Sequence, residues 1–116
     1  MDKINVVKDK SFDLALKIID LYKFLRYDKK EYVISKQLLR SGTSIGANIE
    51  EAQAAQSKKD FLSKMAIASK EARETQYWLK LLIRSGYIEQ NDVISDCDEL
   101  VRLLTSIVKT SAKNNS

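Results

Sequence analysis

Glu71, Glu74 and Trp78 fall at i, i+3 and i+7 of one segment, on a single stripe with Ile67. On a helix that spacing sets two carboxylates side by side on one face. Such a pair can do general acid–base work or help hold a metal. The di-iron pattern needs a histidine three residues after a glutamate, and the chain has no histidine. Histidine triads, proton shuttles and histidine-bearing metal sites are excluded with it. Gly42 and Gly46 offer no phosphate cradle either. A glycine-rich phosphate loop joins a strand to a helix and is followed by a lysine, and that context is missing. No catalytic residue, cofactor, metal site or small-molecule substrate is expected. The glutamates are read instead as part of a salt-bridge network, within or between subunits, with Glu50 and Glu51 facing Arg73 or Lys70.

The same segments hold residues suited to helix packing. Gly42 and Gly46 are one turn apart, a small-xxx-small pair that lets another helix approach closely, inside the subunit or across an interface. Asn48 lies in the apolar phase of its segment and is read as a satisfied amide that fixes register. Tyr77 and Trp78 are amphipathic anchors suited to an interface. Cys97 is the single cysteine. It excludes an intramolecular disulfide and reads as a small apolar residue on a helix.

These residues need long helices to position them. The chain has 116 residues, no proline and only three glycines, which long helices tolerate and turn-rich β folds do not. One domain over residues 1–116 is expected. Helix one is predicted from about Ser11, or earlier, to about Arg26, with Ser11 as cap. Its broad apolar stripe is Phe12, Ala15, Ile19, Tyr22 and Leu25 or Arg26, widened by Leu16, Ile18 and Leu21. The segment Asp28 to Glu31 reads as a solvated connection. Helix two spans about Tyr32 to Gln56 and stays continuous, because Leu38, Ser41, Ile45, Asn48, Ala52 and Ala55 keep phase across both glycines. Ser57-Lys58-Lys59-Asp60 reads as the next turn, with Ser57 or Lys58 near the cap, and helix three then runs to about Ser85. Phe61, Met65, Ala68, Ala72, Thr75, Leu79 and Leu82 keep a 4,3 rhythm, the clearest heptad-like seam in the chain. Gly86 follows as a C-terminal stop. Helix four starts near Asn91 or Asp92, with Val93, Asp96 or Cys97, Leu100, Leu104, Ile107 and Val108 on its apolar face. Residues 1–10 and 111–116 are expected to fray. Short connections then give an all-α, antiparallel, up-down-up-down four-helix bundle.

The net charge is +4 and the isoelectric point about 9.1, which permits contact with a polyanion. In an up-down-up-down bundle the termini and the helix two–three turn share one end. That end collects Lys3, Lys8, Lys10, Lys58, Lys59, Lys64, Lys109 and Lys113 against Asp2, Asp9, Asp13 and Asp60. The other end holds Arg26, Lys29, Lys30, Lys36, Arg40 and Arg84, diluted by Asp28, Glu31, Glu89 and Asp92. The first end is read as slightly more basic. Aromatic interleaving is absent beside Lys58 and Lys59 except for Phe61, so binding there would be directed at the phosphate backbone. No apolar run at the N-terminus resembles a signal peptide. The stretch Leu14–Leu25 is broken by Lys17, Asp20 and Lys23, so no membrane span and a cytoplasmic, bacterial-type protein are expected.

The run Ser41-Gly42-Thr43-Ser44-Ile45-Gly46-Ala47-Asn48-Ile49-Glu50-Glu51-Ala52 is followed by Asp60-Phe61, then by Glu71-Ala72-Arg73-Glu74-Thr75 and Tyr77-Trp78-Leu79. This series resembles the four-helix-bundle family named for proteins encoded in 23S ribosomal RNA intervening sequences. The resemblance covers roughly Phe12 to Leu104. Many members carry a proline where this chain has Gly46 and a glycine where it has Ala52. Those departures mark a distinct subgroup and leave a local kink of helix two open. The resemblance implies an antiparallel four-helix bundle that assembles into a ring-like homopentamer. It also implies similarity to the accessory proteins of diversity-generating retroelements, which share the architecture and bind nucleic acid. No enzymatic activity is implied.

Together these readings lead to a non-enzymatic, homo-oligomeric bundle that binds RNA or DNA, foremost structured RNA, as a scaffold or chaperone. Its expected phosphate contacts are Lys58, Lys59 and Lys64, with Lys36 and Arg40 second. Gly42, Gly46, Asn48, Glu71, Arg73, Glu74 and Trp78 are assigned to packing or interfaces. The rivals are a protein–protein adaptor ring with no nucleic-acid role and, further off, an enzyme.

Overall fold

A computed structural model describes residues 2–115 of the chain. Four α-helices account for its architecture: α1 (Lys3–Lys23), α2 (Ile34–Gln53), α3 (Lys58–Arg84) and α4 (Asp92–Asn115). Each helix packs on the next and α4 closes against α1. Lys8 reaches Glu50 while Ile18 faces Gly42, so α1 and α2 run in opposite directions. Arg40 meets Glu71 while Glu51 meets Lys64, which sets α3 against α2. Arg73 reaches Thr105 and Gln76 reaches Asp98, and Lys3 reaches Ser106 while Lys17 reaches Asp92. All four neighbouring pairs are antiparallel, as the up-down-up-down reading requires.

The helix ends show why the chain folds in these pieces. Asp2 caps α1 by accepting from the Ile4 amide at 3.1 Å, so α1 begins at Lys3 and not at Ser11. Ser11 is buried inside the helix, where its hydroxyl donates to the Lys8 carbonyl. Ser57 caps α3 through the Asp60 amide, and Asn91 caps α4 through the Val93 amide. Gly86, at φ +86°, ends α3. The Tyr87 amide donates to the Leu82 carbonyl and the Gly86 amide to that of Ile83, a left-handed glycine stop. The tail at 111–116, expected to fray, is helical through Asn115; Met1 and Ser116 lie outside the described residues.

In the connection between α1 and α2, Asp28, Lys29 and Lys30 are exposed as expected and Glu31 is not. Residues Phe24–Asp28 form one π turn, in which the Lys29 amide donates to the Phe24 carbonyl. Lys30 then takes a positive φ of 56°. Glu31 is buried. Its carboxylate accepts from the amides of Val33, Ile34 and Ser35, the last at 2.7 Å. The Ser35 hydroxyl donates back to the Glu31 carbonyl. Three orphan amides at the start of α2 are thus satisfied by one charge-assisted acceptor.

The core is built from Leu14, Ile18 and Leu25 of α1 and its π turn, Leu38, Ile45 and Ile49 of α2, Met65, Leu79 and Leu82 of α3, and Leu100 and Leu104 of α4. The α3 seam lies inside as its spacing predicts, except that Phe61 is only partly buried. On α1 and its π turn the predicted stripe is buried only in part: Ile18 and Leu25 are inside as expected, and Phe12 and Leu16 are not. Phe12 is 61% exposed and Leu16 51% exposed, while Val7, Leu14 and Ile18 face inward. The inward face is set by the close approach to the glycines of α2.

A methyl group at Gly42 would fall 2.8 Å from Cγ2 of Ile18, whereas one at Gly46 would lie 3.3 Å from the Ser11 hydroxyl. Gly42→Ala gains about 1 kcal/mol of helix propensity but overpacks a buried β-branched side chain at about 1–3 kcal/mol. Urea unfolding should therefore find Gly42→Ala less stable than wild type and Gly46→Ala equal to it or more stable. The same response at both positions would show that α1 and α2 separate without loss.

Candidate functional site

The carboxylate pair of α3 sits on the α2–α3 seam. Arg40 of α2 donates through Nη1 to Glu71 at 2.8 Å and through Nη2 to Glu74. The Glu71 side chain is 7% exposed. Glu74 also accepts from the Trp78 indole N–H at 3.0 Å. That indole bond first, and Arg40 next, hold the Glu74 carboxyl below the usual glutamate range, against an opposing effect of burial. Arg40 is in turn raised by its bonds to Glu74 and Glu71. Beneath this fork the Thr75 hydroxyl lies 2.9 Å from that of Ser41, both buried. Tyr77 stacks edge-on against Trp78, with centroids 5.0 Å apart. The arrangement pins two helices together. It leaves no carboxylate of the pair free to act as base.

Other residues singled out by their spacing are dispersed. Arg73 points to the opposite side of α3 and donates to Thr105 of α4. The ion pairs expected between Glu50 or Glu51 and Arg73 or Lys70 do not form: Glu50 meets Lys8 at 3.7 Å and Glu51 meets Lys64 at 3.5 Å. Asn48 is half-buried and bonds within its own helix, to the carbonyl and hydroxyl of Ser44. Gly42 and Gly46 serve the α1–α2 contact inside the subunit. Cys97 is buried against the Ala72 carbonyl, and burial pushes its thiol up to about 12. Among the described residues no group of His, Cys, Asp and Glu is placed to hold a metal, and no buried side-chain polar atom lacks a partner.

The basic residues divide into two classes. Arg40 and Lys64 are engaged by Glu71, Glu74 and Glu51. Lys17 bridges Asp96 and Asp92 on α4, which raises the lysine and lowers Asp92. Lys58, Lys59 and Lys36 are exposed, and among the described residues none of them lies within ion-pair distance of a carboxylate. Lys58 and Lys59 occupy the first turn of α3, beside an open cleft of about 490 Å³ lined in part by Gln56, Ser57 and Phe61. Cations there face the positive end of the helix dipole, which is locally unfavourable.

Charge counting along the chain misses what the carboxylates at the α1–α2 end do. Glu31 is committed to the start of α2 and Asp92 to Lys17, so among the described residues neither pairs with the cations counted at that end. The signal for this surface is the tract from Lys23 to Lys36, where Phe24, Tyr27 and Tyr32 alternate with basic residues.

An antiparallel four-helix bundle closed by polar contacts on its seams, with cations left over at both ends, defines a small helical-bundle protein. The chain belongs to the 23S rRNA-intervening sequence protein family, whose model matches residues 3–106. A solved structure from Bacteroides thetaiotaomicron, a protein of unknown function from the S23 ribosomal protein family, is 57% identical. It superposes with a TM-score of 0.89, covering 93% of this chain and 99% of that one. Curated proteins give no significant match. No helix among the described residues is long and apolar enough to cross a membrane.

Because Glu74 is held low, its contribution to stability is complete above the ordinary glutamate value and is lost as pH falls through the lower folded value. Thermal unfolding followed between about pH 6 and pH 3 should show a stability loss that shrinks in Glu74→Gln. An identical acid profile for wild type and variant would remove the fork from the account of the seam.

Proposed function

We propose that this protein is a non-enzymatic, homo-oligomeric scaffold that binds structured RNA through basic surfaces repeated around the assembly. The observation that carries this reading is the pair Lys58 and Lys59. They are exposed, have no carboxylate within ion-pair distance among the described residues, and stand at a helix N-terminus. Two cations at that position destabilise the isolated helix end and are relieved by an anion. Asp60 is their only acidic neighbour in the first turn, and it accepts from the Gln56 amide. Lys36 joins them as a free cation, whereas Lys64 and Arg40 contribute less because each is already engaged.

Repetition makes a modest patch effective. Each phosphate neutralised releases counterions, and linking several patches raises avidity without any new contact. Two distinct apolar patches are available to join subunits. Ile67, Tyr77 and Leu81 are exposed on α3, and Phe12 and Leu16 on α1. Unlike patches that face different ways suit a head-to-tail interface, which closes into a ring when the rotation allows. The family resemblance supports five as the number of subunits in that ring.

Filter binding of a structured RNA across a salt series tests the function, with solution mass read by light scattering on the same samples. Affinity should fall linearly on a log–log plot. Lys58→Ala and Lys59→Ala should each flatten the slope by roughly 0.7–0.9 for every phosphate that a subunit no longer neutralises, and Arg40→Ala should change it little. No retention of RNA by the assembled protein at low salt rejects the proposal, and a stoichiometric protein partner insensitive to nuclease favours the adaptor reading.

A further inference from the structure

The α1–α2 corner combines exposed aromatic rings with unpaired cations. Tyr27 is 62% exposed, Tyr32 48% and Phe24 39%. The Arg26 guanidinium lies 5.7 Å from the Tyr27 ring centroid and 5.4 Å from that of Tyr32. The Lys29 ammonium lies 5.7 Å from the Phe24 ring. Lys23, Lys29, Lys30 and Lys36 are exposed. Among the described residues no carboxylate reaches ion-pair distance of any of these five cations. Of the acids in the tract, Glu31 is buried and accepts three backbone amides, which leaves Asp28 as the exposed one.

We infer that this corner is a binding site for unpaired nucleotides, in which bases stack on Tyr27 and Tyr32 beside the Arg26 guanidinium while Lys23, Lys29, Lys30 and Lys36 take the flanking phosphates. The inference rests on the nucleic-acid reading above and names the part of an RNA that is held: a single-stranded loop, bulge or end. The chemistry matches. Base stacking on an exposed ring is indifferent to base identity, arginine adds a planar cationic face, and lysines follow the backbone. Duplex RNA offers stacked bases that cannot reach the rings.

The other exposed apolar patches lack this combination. On α3, Tyr77 and Trp78 pack on each other, and the nearby Arg40 is already engaged by Glu71 and Glu74. On α1, Phe12 and Leu16 lie in grooves that also contain Glu50, Asp13, Asp96 and Glu99. At the corner one guanidinium lies between the exposed rings of Tyr27 and Tyr32, while Phe24 shares its grooves with Glu89, Asp20 and Asp92. The site is also built on a firm support. Tyr27 belongs to the π turn, and Tyr32 follows the Glu31 cap.

The test is fluorescence anisotropy with a labelled single-stranded RNA of about 12 nucleotides, long enough for one stacking platform, alone and annealed to its complement. Full-length wild type is compared with Tyr27→Leu/Tyr32→Leu, Tyr27→Phe/Tyr32→Phe and Lys58→Ala/Lys59→Ala. Stacking is worth about 1–3 kcal/mol per base, so losing even one base should weaken single-strand binding by roughly 5- to 150-fold. The leucine pair should show that loss with duplex binding unchanged, and the phenylalanine pair should bind as wild type does. Wild-type single-strand affinity in the leucine pair, with affinity reduced in the lysine pair, overturns the corner and leaves the general reading standing. A leucine pair that instead changes the solution mass also overturns it, since the corner would then be a subunit interface. Failure of wild type to bind either RNA removes both proposals together.

Discussion

Absence of a side chain at Gly42 decides how this bundle closes. Ile18 occupies the space that a Cβ at residue 42 would need, and both residues are buried. Interiors packed at crystal-like density do not absorb such an overlap without moving a helix. The backbone approach at Gly42 and Ser11–Gly46 sets the rotation of α1, and that rotation determines which of its apolar residues are buried. With Leu14 and Ile18 inward, Phe12 and Leu16 are left outside. The apolar surface that α1 exposes is therefore a consequence of its packing on α2, not an independent feature.

That dependence explains which parts of the fold are legible in the sequence. In α3 a single stripe from Met65 to Leu82 keeps strict heptad phase, and only one rotation of the helix can bury it. In α1 the apolar stripe is broad, so periodicity leaves its rotation less closely fixed and the neighbouring helix settles it. Ser11 shows the same ambiguity at a finer scale. A serine before an apolar run is a good cap in principle, yet here its small size fits against Gly46 and Asp2 performs the capping. The local chemistry of such a residue is plain from its type, while its placement depends on neighbours far away in sequence.

The candidate site is legible in part for a related reason. A count of charges treats every carboxylate as equally available to screen a lysine. In the folded chain Glu71 and Glu74 are tied to Arg40, Glu51 to Lys64 and Asp92 to Lys17. Glu31 is the least visible, because glutamate is not among the usual residues at a helix cap. Its burial beneath three amides converts an apparent surface acid into part of the backbone framework. Cations that look balanced in the sequence are therefore free in the structure, and both ends of the bundle retain them.

The framework at the α1–α2 end also bears on what such a surface can do. A flexible loop that orders on contact loses part of its interaction energy to conformational entropy. Here the π turn has its own hydrogen bond from Lys29 to Phe24, and the Glu31 amide bonds back to the Leu25 carbonyl at 2.9 Å. Leu25 is itself fully buried in the core, so the turn is anchored from below while its rings face outward. The backbone bearing Tyr27 and Tyr32 is ordered before any partner arrives, and little further backbone ordering is needed on contact. The rings and cations of this corner are therefore held in one arrangement by the fold itself, through the buried Leu25 and the Glu31 cap.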